Sequence, residues 1–315
     1  MKYHFIAIGG SVMHNLAIAL SQKGHEVTGS DDEIFEPSRS RLRDRGLLPD
    51  RTGWRPDMIN NDLDAIILGM HAKSDNPELL KAKDIGIPMY SFPEFLYEQT
   101  KNKQRIVVGG SHGKTTITSM VMHVLKKAGI PFDYLVGANL EGFDIMVGLE
   151  KDSMVAVFEG DEYLTSPLDP RPKFHLYEPT IALISGIAWD HYNVFPTLEN
   201  YIDQFRIFID KIASGGTLIY NQNDETLKKI TTNIRNDISV IRYGIHDNII
   251  NNGITNLIFR ENRYPLNIFG HHNLENISGA LMICKSLGID NDVFYESMKS
   301  FHGASKRLQL IKGSE

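Results

Sequence analysis

One short segment combines the residue types and the spacing of a phosphate-binding loop: Gly110, Ser111, His112, Gly113, Lys114, Thr115 and Thr116. In such a loop, glycines let backbone N–H groups approach phosphate oxygens, and the lysine places its charge on the β- and γ-phosphates. The hydroxyl that follows the lysine can ligate Mg²⁺. The general pattern has a glycine where this chain has Val108, so the loop is a variant. The segment predicts a nucleoside triphosphate site.

Acidic residues follow the next apolar run along the chain, residues 155–158. Phosphoryl transfer needs a carboxylate that holds or orients the metal, and the carboxyl ends of parallel strands face the ligand crevice. Glu159 is nearest to the predicted strand end and is therefore the expected metal ligand. Asp161 and Glu162 come next, and for Glu162 a solvated turn is the favoured interpretation. His191, after a later apolar run, can complete a metal shell, contact a phosphate or be structural.

Two asparagines open the penultimate predicted helix. Asn273 and Asn276 are three residues apart, so their amides can face the same side of the helix. Each amide offers a donor and an acceptor, which suits the edge of an adenine base. N-capping by Asn273 is the simpler explanation of that residue, and on the spacing alone it is the favoured one.

A second glycine-containing loop lies near the N-terminus. Gly9, Gly10 and Ser11 follow the first apolar run, and Asp31 follows the second. A dinucleotide-binding fingerprint would need glycines at positions 7 and 12, where the chain has alanine and valine, so an NAD site is poorly supported. Binding of a nucleoside diphosphate at the start of the first helix is the prediction.

These residues lie between alternating strand-like and helix-like segments, which predict an α/β fold with largely parallel sheets. The polar stretch 98–104 is interpreted as a linker. It separates a Rossmann-like domain, residues 1–100, from a P-loop NTPase-like domain, residues 101–305. The clearest helix follows the phosphate loop and ends at Gly129. Residues 254–269 are typical of a hairpin.

The composition excludes several classes of protein. The 33 basic and 39 acidic residues give a net charge of −6, which disfavours nucleic-acid binding because that needs a concentrated basic face. A single cysteine, Cys284, allows neither an intramolecular disulfide nor a cysteine zinc cluster, and we expect it to be a small buried hydrophobe. No apolar run approaches about 18 residues, so neither a membrane helix nor membrane binding is expected, and the expected location is the cytoplasm.

Four blocks of the sequence resemble the Mur ligase family, the ATP-dependent enzymes that form amide bonds in bacterial cell-wall synthesis. The blocks are residues 4–13 with 29–31, residues 110–116, residues 159–162 with 190–191, and residues 270–276 with 306–308. The resemblance implies that UDP-N-acetylmuramate binds to the first domain and ATP with Mg²⁺ to the second. It also implies a further substrate, an amino acid or a peptide that supplies the amine.

The resemblance implies roles for individual residues. Those expected near the UDP moiety are Gly9, Gly10, Ser11, Ser30 and Asp31. Those expected to hold ATP and Mg²⁺ are the phosphate loop with Lys114 and Thr115, Glu159 for a first metal, His191 for a second, Asn273 and Asn276 for adenine, and Arg307 for the γ-phosphate. Arg171 and Lys173 are candidate contacts to the anionic sugar nucleotide, with a solvated basic turn as the alternative.

Within the family, residues 160–163 and 169–177 are most similar to the branch that attaches a peptide to the lactyl carboxylate of UDP-N-acetylmuramate. The branch that adds L-alanine comes next. Ser111 stands where the family usually has threonine, and residues 201–206 lack the lysine that some members carbamylate. Complete enzymes have a third domain for the amine, which we expect to start at residues 306–315. Without that domain we expect no ligase activity, and a nucleotide-binding module is the alternative.

Overall fold

The computed structural model describes residues 1–70, 72–166 and 168–303. Among these residues, no helix is long and apolar enough to cross a membrane. The first sheet and its helices are formed by β1 (Lys2–Ile6), α1 (Ser11–Gln22), β2 (Glu26–Ser30), α2 (Ser38–Asp44), β3 (Ala65–Leu68), α3 (Pro77–Ile85), β4 (Met89–Ser91) and α4 (Phe92–Thr100).

The elements that follow form a larger sheet, its helices and two small antiparallel sheets. They are β5 (Gln104–Gly109), α5 (Lys114–Lys127), β6 (Phe132–Leu135), β7 (Val147–Gly148), β8 (Val155–Glu159), β9 (Leu164–Ser166), β10 (Asp169–Pro172), β11 (Ile181–Ile184), α6 (Leu198–Asp210), β12 (Thr217–Asn221), α7 (Glu225–Ile230), β13 (Ser239–Tyr243), β14 (Asn248–Asn251), β15 (Ile254–Phe259), β16 (Asn262–Pro265), α8 (His271–Ser286) and α9 (Asn291–Met298).

The first sheet has the strand order β2-β1-β3-β4, and its neighbouring strands are parallel. Phe5 and Ile6 of β1 are fully buried, because helices cover both faces of a parallel sheet. The turn after β1 leads directly into α1. The start of α1 therefore lies at the carboxyl edge of the sheet, where open α/β sheets bind ligands.

The larger sheet has the strand order β13-β12-β11-β5-β8-β6-β7, and only the β6–β7 pairing is antiparallel. The central strand β5 lies between β11 and β8, which come later in the chain. The strand order changes direction at this point, and a crevice opens at the carboxyl ends of the strands there. The phosphate loop, the acidic residues after β8 and the segment after β11 all start from this edge. The predicted α/β class with mostly parallel sheets is confirmed.

The helix predicted after the phosphate loop is confirmed as α5. Its apolar residues, including Ile117, Val121 and Leu125, are fully buried in one cluster with Ile277 of α8. Gly129, with φ +68°, follows its last turn, and the left-handed conformation is typical of residues that end helices. Burial of this face holds the start of α5 in place at the crevice.

The interpretation of residues 98–104 as a linker is wrong for both ends of the stretch. The helix α4 starts with a capping box between Ser91 and Glu94 and continues to Thr100, which is fully buried. The Thr100 hydroxyl donates to the Leu96 carbonyl at 2.7 Å, so a polar side chain is accommodated in the last turn. Only residues 101–103 lie between α4 and β5.

A small antiparallel sheet and the helix α8 lie near the end of the described residues. The hairpin is confirmed as β15 and β16, and β14, which the sequence analysis did not predict, pairs with it. Cys284 is fully buried, as predicted.

Candidate active site

The loop between β5 and α5 needs glycine at two positions. Gly110 has φ +123°, and a Cβ there would overlap Oγ of Ser185; Gly113 has φ +80°, and a Cβ would lie 2.5 Å from Oδ1 of Asn276. Side chains of L-residues rarely accept such φ values, whereas glycine does. α5 begins directly after Gly113, so the backbone N–H groups of its first turn lie at the loop. This arrangement favours a bound anion.

Lys114, the first residue of α5, is held by two oxygen atoms. Its Nζ donates to the Gly110 carbonyl at 2.7 Å and lies 2.8 Å from Oε2 of Glu162. The Glu162 side chain is only 1% exposed, so the interpretation of this residue as part of a solvated turn is wrong. A carboxylate this deeply buried needs a charged partner, and the lysine provides it.

Glu159 lies at the end of β8, beside Thr115, the predicted metal ligand in the phosphate loop. Its Oε1 accepts from the Thr115 hydroxyl at 2.7 Å, and its Oε2 accepts from the Gly137 backbone N–H at 2.7 Å. A carboxylate next to a hydroxyl suits Mg²⁺, which is usually held by one or two carboxylates together with phosphates and water. Within the described ranges, no group of three or more His, Cys, Asp or Glu side chains could hold a metal alone. The donors therefore fit a metal ion that a phosphate helps to bind.

His191 faces the Lys114–Glu162 pair rather than Glu159. Its Nε2 is 3.6 Å from Oε1 of Glu162, and its ring packs edge-on against Tyr163 at 5.0 Å between centroids. The backbone at His191 has φ +56°, which is unusual for a residue with a side chain. This strained conformation brings the imidazole to the same cleft as the phosphate loop.

A cavity of about 720 Å³ lies between the phosphate loop and α8. It is lined by His112, Gly113 and Thr116 from the loop side and by Asn273 and Asn276 from the helix. The structure thus brings the two asparagines together with the loop.

Asn273 does not cap α8. The N-cap residue is Gly270, and the Asn273 amide instead donates to the Phe269 carbonyl at 2.7 Å. The capping interpretation is therefore wrong, and Asn273 remains at the cavity wall.

A second cavity, of about 590 Å³, is shared by the two main sheets. Gly10 and Ser11, at the start of α1, line it from the first sheet, while Lys114, Glu162 and His191 line it from the larger sheet. The two glycine-containing loops, which are about 100 residues apart in the chain, therefore open into one space. A ligand of the first loop can extend to the lysine of the second.

Asp31 and Ser30 are buried behind the first loop. Oδ2 of Asp31 accepts from the Gly9 backbone N–H at 2.7 Å, so this carboxylate shapes the loop. The Ser30 hydroxyl is fully buried and donates to Oε2 of Glu78 at 2.7 Å. The structure places neither side chain among those that line the shared cavity.

The two basic candidates of the segment 171–173 point to different places. Lys173 lines the shared cavity and lies 2.6 Å from Oδ2 of Asp161. Burial favours the neutral form of Asp161, but the Lys173 ammonium outweighs it and holds the pKa of this carboxyl below its usual value. Arg171 is half exposed and pairs with Glu94 and Asp169 away from that cavity. Arg307 lies outside the described residues.

Sequence comparison places both halves of the chain in one family. The pattern of the Mur ligase middle domain matches residues 108–284, and that of the Mur ligase family catalytic domain matches residues 2–104. The chain belongs to the Mur ligase family. Mur ligases form carbon–nitrogen bonds in peptidoglycan synthesis, and the fold and the family resemblance predicted from the sequence are thereby confirmed.

The most similar relatives include two enzymes of the same kind. UDP-N-acetylmuramate–L-alanine ligase of Dictyoglomus turgidum is 33% identical over 98% of this chain and 67% of its own length. The ligase of that name from Caldicellulosiruptor saccharolyticus is 34% identical over 98% of this chain and 69% of its own length. The Mur ligase chain described here therefore spans about two thirds of these relatives.

Solved structures of Mur ligases have the same fold. UDP-N-acetylmuramate:L-alanyl-γ-D-glutamyl-meso-diaminopimelate ligase from Neisseria meningitides matches with a TM-score of 0.84 at 25% identity, over 97% of this chain and 99% of that chain. UDP-N-acetylmuramate-alanine ligase from Thermotoga maritima matches with a TM-score of 0.73 at 22% identity, over 98% of this chain and 70% of that chain.

Proposed function

We propose that the protein joins an amine to the lactyl carboxylate of UDP-N-acetylmuramate and converts ATP to ADP and phosphate in the process. The observation that carries this proposal is the shared cavity, into which Gly10 and Ser11 open from one sheet and Lys114 from the other. A sugar nucleotide held by the first loop would present its carboxylate to a γ-phosphate held by the second. Residues 1–100 would then be the sugar-nucleotide domain and residues 101–305 the ATP domain.

Carboxylates are poor acyl donors at neutral pH, so the carboxylate must first be activated. Transfer of the γ-phosphoryl group to it gives an acyl phosphate, and attack by the amine then gives the amide and phosphate. Such transfer depends on position and charge neutralisation rather than on covalent catalysis by the protein. Lys114 would neutralise the phosphates, and Glu159 with Thr115 would hold Mg²⁺. The metal ion would neutralise charge on the transferred group.

The cavity beside α8 would receive the nucleoside of ATP. Asn273 and Asn276 would contact the adenine edge, and His112, Gly113 and Thr116 would surround the phosphates and ribose. His191 would contact either a second metal ion or the transferred phosphoryl group. Arg307 remains a proposed γ-phosphate contact.

For the amine we propose the peptide rather than L-alanine. The higher TM-score to the peptide-adding enzyme, 0.84 against 0.73, supports this choice, as do the sequence similarities in residues 160–163 and 169–177. The curated relatives at 33–34% identity are named as L-alanine ligases, so L-alanine is the second candidate.

The test supplies the full-length protein with ATP, Mg²⁺ and UDP-N-acetylmuramate, together with either L-alanine or L-alanyl-γ-D-glutamyl-meso-diaminopimelate. ADP release and the mass of the UDP-linked product are measured. UDP-N-acetylglucosamine, which lacks the lactyl carboxylate, is the matched control and should give no product. Amide product with the peptide supports the proposal, and product with L-alanine alone supports the second candidate. Binding of both nucleotides without release of ADP would instead indicate a nucleotide-binding module.

A further inference from the structure

A buried tyrosine of α6 lies between the phosphate loop and Glu162. Aromatic rings of Phe195 and Phe205 pack against the Tyr201 ring, with 5.5 and 5.3 Å between centroids. The Tyr201 hydroxyl is 2.9 Å from Oγ of Ser111 and 3.0 Å from Oε1 of Glu162. It therefore bridges the loop and the carboxylate that pairs with Lys114.

The directions of these hydrogen bonds follow from the number of hydrogens available. A carboxylate beside an ammonium only accepts, so the Tyr201 hydroxyl donates to Glu162. The Ser111 hydroxyl must then donate to the Tyr201 oxygen. Ser111 Oγ in turn accepts from the Ala188 backbone N–H at 2.8 Å. The chain of donors thus runs from Ala188 through Ser111 and Tyr201 to Glu162.

Ser111 has no hydrogen left for a phosphate in this arrangement. Its hydroxyl donates to Tyr201, and its backbone N–H donates to the Gly186 carbonyl at 2.9 Å. Ser111 therefore attaches the loop to α6 and to the segment after β11, while phosphate contacts fall to the residues that follow it.

The arrangement matters when a triphosphate binds. Lys114 must turn from Glu162 towards the phosphates, which removes the ammonium that now holds the carboxylate. We infer that Tyr201 is a positioning residue that keeps Glu162 in place, and linked to the phosphate loop through Ser111, while the γ-phosphoryl group is transferred. This inference rests on the proposed function, because it concerns the turnover of ATP.

The first experiment is Tyr201→Phe in the full-length protein, a substitution that removes the hydroxyl and keeps the ring. A hydrogen bond to a charged group is lost, so we expect kcat for ADP release to fall about tenfold. The Kd for ATP should stay within about twofold, because Tyr201 donates to Glu162 and not to the nucleotide. Tyr134→Phe is the control, since the Tyr134 hydroxyl donates to the Ile145 carbonyl at 3.2 Å, outside both cavities. An unchanged kcat, or a loss of ATP affinity that matches the loss of kcat, would overturn the inference.

The second experiment does not depend on the reaction. The free energy of unfolding is measured for Ser111→Ala, Tyr201→Phe and the double variant, and the two effects should be less than additive because both groups belong to one chain of donors. Ser111→Ala combined with Tyr134→Phe should be additive, and Ser111→Thr, which keeps the hydroxyl, should keep the coupling with Tyr201. Additive effects of Ser111→Ala and Tyr201→Phe would overturn the bridge.

The two experiments together separate the inference from the proposed function. A wild-type protein that releases no ADP with UDP-N-acetylmuramate, but retains the Ser111–Tyr201 coupling, would overturn the proposed function and with it the role in turnover. An active wild-type protein with a fully active Tyr201→Phe variant would overturn only the inference.

Discussion

The ammonium of Lys114 lies 2.8 Å from Oε2 of Glu162 in a cleft where the two side chains are 16% and 1% exposed. The pair has a direct consequence for nucleotide binding. A triphosphate at the loop must compete with Glu162 for the lysine, because a short ion pair in a poorly hydrated site is strong. Under the proposed function, the released carboxylate would lie next to the transferred phosphoryl group.

Replacing Glu162 by glutamine keeps the shape of the side chain and removes its charge. We expect the affinity for ATP without Mg²⁺ to rise roughly tenfold, because Lys114 no longer leaves a carboxylate. We also expect ADP release to fall at least about tenfold, because the Tyr201 hydroxyl then donates to a neutral amide, which it holds less firmly than a carboxylate. Calorimetry and an ADP assay measure the two effects. Glu296→Gln, a surface residue that pairs with Lys299, is the control. Weaker binding of ATP by Glu162→Gln would contradict the competition.

Lys114→Ala tests the two-site arrangement. ATP turnover should be abolished, while binding of UDP-N-acetylmuramate should stay within about threefold, because most of its contacts would come from the first loop. Lys127→Ala, at the exposed end of the same helix, controls for a general change of charge. Titration calorimetry with each nucleotide gives the answer. Equal loss of both affinities would argue against separate sites.

Gly113→Ala should remove ATP binding without unfolding the protein. A Cβ at this position meets Oδ1 of Asn276 at 2.5 Å in addition to the strain of φ +80°. Gly129 has a similar φ of +68° but nothing within 4 Å of a Cβ, so Gly129→Ala isolates the backbone strain, about 1 kcal/mol. Thermal unfolding and the Kd for ATP are measured for both variants. Equal ATP affinities in the two variants would show that the Gly113–Asn276 approach is unimportant.

Ala7→Gly should stabilise the protein. Ala7 is buried and has φ +68°, a conformation that costs an alanine roughly 1 kcal/mol more than a glycine. The greater freedom of glycine in the unfolded chain offsets part of this, so we expect a gain of up to about 1 kcal/mol in the free energy of unfolding. The same substitution at Ala17, inside α1, should destabilise by about 1 kcal/mol. Urea unfolding of both variants checks the opposite signs, and destabilisation by Ala7→Gly would contradict the strain.

Stability should depend on pH through His175. Burial lowers the pKa of His175 to about 4, and its neutral ring donates from Nε2 to the Gln204 carbonyl at 2.8 Å. In the unfolded chain the pKa is near 6.5, so below this pH the unfolded state binds a proton that the folded state does not. The contribution is fully present above pH 6.5 and is lost as the pH falls towards 4.

The variant His175→Gln removes this titration. Between pH 7.5 and pH 5 the wild-type protein should lose about 2 kcal/mol more of its free energy of unfolding than the variant. Urea unfolding at the two pH values measures this difference. The contributions of the other histidines cancel, because both proteins contain them. Equal losses in the two proteins would show that His175 takes up its proton in the folded state.

The roles of residues within a strong local sequence pattern were predictable. The positions of residues that are set by tertiary contacts were not. The phosphate loop and α5 are encoded within one segment, as glycines, a lysine and an apolar face. Along the sequence, nothing distinguishes Glu162 from an acidic residue in a solvated turn. Only the fold places it against Lys114. The end of α4 was missed because its last turn is polar in sequence, and only the packed fold shows that Thr100 is buried and that Arg105 of β5 donates to its carbonyl at 3.0 Å.

The sequence by itself determined the alternation of strands and helices, the phosphate loop and the family, because each depends on residue types at short spacings. Tertiary structure decided which side chains meet: that Ser30 lies behind the first loop, that Tyr201 reaches Ser111, and that both glycine-containing loops share one cavity. Burial and pairing across distant segments are set by how the sheets pack, and residue spacing along the chain carries no record of them.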